Sequence, residues 1–202
     1  MHDNLVDNQN SLSIRIYSDG FSVFCETDFY TLIPEVFCNS ESIRGFLKLQ
    51  HPDLPENWHI CQSTIENQQS VLVYALHKDL FSSFDKTFNQ IQVKHHLQGV
   101  IDKLVASNED MIIVWVRQQK VDFVVYKENS ICLLNSYDYK TNEDIVYHAL
   151  NIYNQFKLDP EKFKITTYSH DSMPLELLIK SYITNVVCKS IQSEYEDYQR
   201  KI

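Results

Sequence analysis

Asp19-Gly20, inside the stretch SIRIYSDGFSVF, is one of the few places in this 202-residue chain where residue types and spacing could do chemistry. An Asp-Gly pair between two strands can bring backbone N–H groups against a phosphate. The same pair is a favoured hairpin turn, because it tolerates positive φ, and the turn is the expectation here. His59 and Cys61 stand two apart, which on a strand puts an imidazole and a thiol on one face. Unpaired cysteines are among the most buried residue types, so Cys61 is expected to be an ordinary core residue. His95-His96 offers two imidazoles to a metal, yet neighbours in a strand point to opposite faces, and a solvated pair at a strand end is expected. Metal-dependent cleavage of phosphodiesters needs several converging carboxylates. The strand-like segments supply only Glu26, at an end, and Asp122, expected on a solvent-facing parity. The glycines, Gly20, Gly45 and Gly99, do not bracket a serine, so no nucleophile elbow is present. Asn135, Tyr137 and Tyr139 crowd a strand-to-helix connection and form a candidate contact surface, since tyrosines suit interfaces. The competing assignment has Asn135 satisfying backbone groups while Thr141 and Asp144 cap the helix.

Composition narrows the classes. Hydrophobic residues make up 44% of the chain and aromatics 12%, enough for a packed interior. Eighteen Lys+Arg against 27 Asp+Glu give a formal charge of -9, which opposes the basic footprint that a phosphate backbone requires. Nucleic acid is not an expected partner. No apolar run is long enough to span a bilayer, and MHDNLVDNQN lacks the regions of a signal peptide, so the expected location is the cytoplasm. The cysteines, Cys25, Cys38, Cys61, Cys132 and Cys188, are scattered and without CxxC spacing. They are expected to be reduced, mostly buried thiols, with no metal bound.

Residues 12–17 and 21–25 alternate with period two and predict a hairpin turning through Ser18-Asp19-Gly20. A short third run stops at Pro34, and Asn39 or Ser40 can cap a helix carrying Ile43, Phe46 and Leu47. After the Pro52/Pro55 loop come a second hairpin, a helix over 78–88, a short strand at 91–96 and a helix with Leu97, Ile101, Leu104 and Val105 inward. From Met111 three strand-like runs, 111–116, 121–126 and 130–135, form an antiparallel meander. Thr141, three residues before Asp144, then opens a helix with Ile145, Ala149, Ile152 and Phe156 at helical spacing. A strand over FKITTY follows, and a last helix with Leu175, Leu178, Ile179, Tyr182 and Val186 on its apolar face. Three antiparallel strands, helix, strand, helix is a ribonuclease-H-like order. The first half begins with a similar hairpin and third run before its helix. The prediction is an α+β (α/β) chain of duplicated ribonuclease-H-like halves, mixed sheets flanked by helices, with boundaries at 1–107 and 108–202.

LSIRIYSDGFSV, YTLIPEVF and LLNSYDYKTNEDIVYHAL, arriving in that order, resemble segments of an uncharacterised family of Bacteroidetes proteins, a domain of unknown function. The resemblance runs from Leu12 to Val187. It implies a degenerate actin-like (ASKHA) ATPase architecture and no established activity. Actin-like ATPases grip phosphate with Asp- and Gly-bearing hairpins in both halves. Here the second meander turns through Arg117-Gln118-Gln119-Lys120, so Asp19 and Gly20 stand alone as weak cofactor-binding candidates, and ATP with Mg is unsupported by glycine-rich loops. The function expected is that of a non-catalytic cytoplasmic interaction or scaffold protein with a protein partner. The alternatives are an atypical nucleotide-binding protein or ATPase using a cleft between the halves, and a small-molecule sensor. A homo-oligomer is what the resemblance hints at.

Overall fold

The computed structural model describes residues 12–17, 20–39, 42–79, 82, 92–170 and 173–192, which fall into two compact units, Met1–Gly99 and Val100–Ile202. The expected helix over 78–88, the tail beyond Gln192 and Asp19 lie largely or wholly outside the described residues.

In the first unit, β1 (Leu12–Tyr17) and β2 (Gly20–Cys25) form the expected antiparallel hairpin, with Tyr17 opposite Gly20. β6 (Gln92–His95) joins β2 in parallel, giving the order β1-β2-β6. β3 (Tyr30–Pro34) does not extend that hairpin. It pairs with β5 (Ser70–Leu76), which also pairs with β4 (His59–Ile65), in a separate antiparallel sheet ordered β3-β5-β4. Sequential strands usually neighbour one another; here residues 71–76 are all buried, so β5 takes the centre and leaves the shorter β3 at an edge. Helix α1 (Ile43–Gln50) covers this sheet through Leu47, with Ile43 and Phe46 beside it, and Leu54 and Trp58 of the proline-bearing loop complete the cluster. The N-cap of this helix is Ser42, not the expected Asn39 or Ser40; Asn39 Oδ1 accepts the N–H of Ser42 at 2.9 Å in the turn that leads into it.

The chain passes into the second unit along α2 (Gln98–Ser107), whose Ile101 and Leu104 are buried as expected. β7 (Met111–Val116), β8 (Lys120–Lys127) and β9 (Ser130–Asp138) form the predicted meander. α3 (Asn142–Gln155) follows, then β10 (Lys164–Ser169), α4 (Met173–Lys180) and β11 (Val186–Ser190). Sheet order is β11-β10-β7-β8-β9, with β10 parallel to β7 and β11 parallel to β10. β11 corrects the sequence analysis, which carries the last helix to Val186. The chain leaves the helix at Lys180, Tyr182 is exposed, and β-branched Val186 and Val187 pair with Ile165 and Thr166.

One face of this sheet, with Ile112, Val114, Val121, Phe123, Val125 and Ile165, packs against Ile145, Ala149 and Ile152 of α3 and Leu175 and Ile179 of α4. The other face is buried too: Trp115 and Tyr168 stack at 5.4 Å beside Ile113 and Val124. A strand covered on both sides shows no useful alternation. That is why Asp122, expected toward solvent, is 0% exposed in a strand whose residues 121–126 are all buried.

Candidate functional site

Gly20 is the first residue of β2, opposite Tyr17, and Asp19 beside it lies outside the described residues. Arg117 donates its N–H to the Lys120 carbonyl at 2.8 Å, closing a turn through Gln118 and Gln119, the latter with φ 62°. Positive φ is normally left to Gly, Asn or Asp, so Gln119 carries a modest local strain. The Arg117 side chain turns into the sheet instead of out of the turn. Its Nε donates to Asp122 Oδ2 at 2.8 Å, and Nη2 donates to Asp122 Oδ1 at 2.9 Å and to Ser136 Oγ at 3.2 Å. Both charged side chains are almost wholly out of solvent, 6% and 0% exposed. Two parallel charge-assisted bonds of this kind compensate much of the desolvation cost of the pair.

Asn135, Tyr137 and Tyr139 are brought to the same end of the second unit, on the helix-packed side of β9. Asn135 Oδ1 accepts the N–H of Ser136 at 3.0 Å. The Tyr137 ring stacks on His148 of α3 at 4.6 Å and meets Phe123 edge-on at 5.7 Å. Tyr139 donates its N–H to the Gln119 carbonyl at 3.1 Å and its hydroxyl to the Arg117 carbonyl at 2.7 Å, tying the end of β9 to the turn. Burial pushes its phenol up from the ordinary tyrosine range, opposed by the Gln119 backbone contact. Thr141 and Asp144 form the expected capping box. Asp144 Oδ2 accepts from the N–H groups of Lys140 and Thr141 at 2.9 and 3.0 Å, which hold its carboxyl below the usual range.

His95 and His96 are not solvated: they are 0% and 2% exposed. β6 ends at His95, so the two-residue alternation stops there and both rings turn the same way, 4.2 Å apart. Tyr30 lies 4.6 Å and Tyr74 5.4 Å from the His95 ring, an aromatic cluster inside the first unit. Cys25, opposite His95 in the β2–β6 register, is buried, and Cys61, opposite Tyr74, is half-buried; burial pushes both thiols up to about 12. Such thiols are poor nucleophiles. His59 is exposed, and Cys132 is exposed against expectation, sitting where the β8–β9 register shifts. Among the described residues no group of three or more His, Cys, Asp or Glu is placed to hold a metal ion, and no helix is long and apolar enough to cross a membrane.

Sequence reasoning misses the Arg117–Asp122 pair, although its five-residue spacing across a two-residue turn is the signal that could have found it. It also misses Ser169. That residue ends β10, at the carboxyl end of the parallel strands, and is 3% exposed, with Oγ lacking a hydrogen-bond partner among the described residues. No signal in the sequence marks it.

Comparison with known proteins bears on fold and family. A crystal structure at 1.85 Å of a Bacteroides thetaiotaomicron VPI-5482 protein, described as having an actin-like ATPase fold and unknown function, matches with a TM-score of 0.73 over 94% of each chain at 16% identity. The chain has that fold. A structure of the AlfA filament bound to AMPPNP matches with a TM-score of 0.37 over 60% of this chain and 40% of its own, at 8% identity. No curated protein matches the sequence. A family model described as a protein of unknown function, DUF3822, matches residues 5–186, and the chain belongs to that family.

Proposed function

We propose that this protein is a non-catalytic interaction module of the cytoplasm, built on an actin-like fold and working by contact with a protein partner. The observation that carries the reading is the β7–β8 turn. Gripping a phosphate there would take backbone N–H groups approached without a Cβ in the way, and a cation or carboxylate presented outward. The turn offers Gln118 and Gln119 in place of glycine, the Arg117 guanidinium is turned inward and neutralised by Asp122, and the Lys120 ammonium that closes the turn is taken up by Asp138 at 2.9 Å. Tyr139 spends its hydroxyl on the same turn, and the ring of Tyr147 stands exposed beside the Tyr137–His148 stack. This leaves an aromatic surface of the kind that serves protein contacts.

A second reading, a nucleotide- or small-molecule-binding protein, is favoured by Ser169. In open α/β sheets ligands bind outside the carboxyl ends of the parallel strands, where this buried hydroxyl lies without a hydrogen-bond partner among the described residues. Calorimetric titration with Mg-ATP, beside a thermal-shift scan, separates the two. A ligand at about 100 times its Kd stabilises the native state by ~2.7 kcal/mol. No heat and no shift is the result expected of the contact module. Saturable binding weakened by Ser169→Val would replace it with the second reading.

A further inference from the structure

We propose that Asn135 and His148 guard the outer edge of β9 against strand pairing with a second copy of this chain. β9 is the terminal strand of its five-stranded sheet. Over its nine residues, SICLLNSYD, it carries one charge, Asp138, and neither proline nor lysine. Long edge strands poor in charge and proline template pairing with another chain.

The guard follows from the hydrogen-bond alternation of an antiparallel ladder. Tyr139 donates its N–H to Gln119 on the β8 side. Tyr137 and Asn135, two and four residues earlier, therefore also direct their backbone groups toward β8, whereas Ser136 and Asp138 direct theirs outward. At each outward position one backbone group is met by a side chain. Asn135 Oδ1 accepts the Ser136 N–H at 3.0 Å. His148 Nε2 lies 3.3 Å from the Asp138 carbonyl; a carbonyl only accepts, so this contact places the hydrogen on Nε2. Nothing in the strand's charges would otherwise resist an isologous partner: antiparallel self-pairing centred on Leu134 puts Asp138 opposite Ser130, with no like charges facing. That symmetry is what selects a second copy as the occupant. The inference stands independently of whether the protein binds nucleotide.

The test compares the full-length protein with Asn135→Val/His148→Leu by sedimentation velocity over a range of concentrations, with circular dichroism checking the fold. The expected result is a concentration-dependent rise in mass toward roughly twice the wild-type value. Asn135→Asp, which keeps an acceptor for Ser136, should sediment as wild type. Adding Cys132→Lys, a charge on the same edge, should return the double variant to the wild-type mass. Should the double variant misfold, amide exchange in Asn135→Val alone decides: faster exchange at Ser136 than in Asn135→Asp supports the guard. A folded double variant with the wild-type mass at every concentration overturns the proposal, as does association that survives Cys132→Lys or unchanged exchange at Ser136.

Discussion

Asp122→Asn should be among the most destabilising near-isosteric changes in the second unit. The native carboxylate accepts two bonds from Arg117, at 2.8 and 2.9 Å, with 0% of its side chain exposed. Asparagine keeps the shape and one oxygen acceptor but turns the other acceptor into a donor facing a guanidinium. The Arg117 charge then stays buried, with Ser136 Oγ at 3.2 Å among its neighbours. Removing one member of a buried pair costs about 3–5 kcal/mol, chiefly through the charge left behind. With a urea m-value of about 1–3 kcal/mol/M, the midpoint should fall by roughly 1–5 M. Trp115, directly across the ladder from Asp122, reports on this unit, and a Trp58→Phe background leaves it the sole tryptophan. Replacing both partners, Arg117→Met with Asp122→Leu, should recover most of the loss, because well-packed apolar side chains substitute for a buried pair at little net cost. A single variant that loses less than about 1 kcal/mol, or a double variant as unstable as the single, would refute the assignment of the cost to an uncompensated buried charge.

Thiol labelling at pH 8 should modify Cys132 first and leave Cys25 and Cys61 protected. Burial pushes those two up to about 12, with Cys61 adding to the effect on Cys25, so their thiolates form only as pH approaches that value. Their reactive fraction at pH 8 is roughly a thousandfold below that of a free cysteine, and equal labelling of Cys61 and Cys132 would contradict the packing described. At the start of α3, Thr141→Ala should cost about 1 kcal/mol in denaturant unfolding. Asp144, held low by the N–H groups of Lys140 and Thr141, contributes stability that is present above the ordinary aspartate range and lost as pH falls through its lowered folded value. An NMR titration placing its midpoint at or above the ordinary range would show that the capping box does not form.

Much of this architecture is local and legible. The unbroken apolar run Met111–Val116, the short polar turn that follows, and Thr141 three residues before Asp144 each act within a few residues, so the meander and the start of α3 follow from the chain alone. The order of the elements points to the fold for the same reason. Tertiary structure decided the rest, wherever an outcome depends on a distant partner. Val186–Ser190 is a strand because Ile165–Ser169 lies alongside it, while nearby Leu175 and Ile179 continue to suggest a helix. Asp122 is buried because its sheet is covered on both faces and Arg117 meets it there, a condition that parity along one strand does not encode. His95 and His96 face each other because β6 stops between them. Asn135 acquires its task only when β9 becomes the edge of a sheet and Ser136 turns its N–H outward. Periodicity records what each residue prefers beside its neighbours in the chain; whether a polar group may be buried is settled by the partner the fold brings to it.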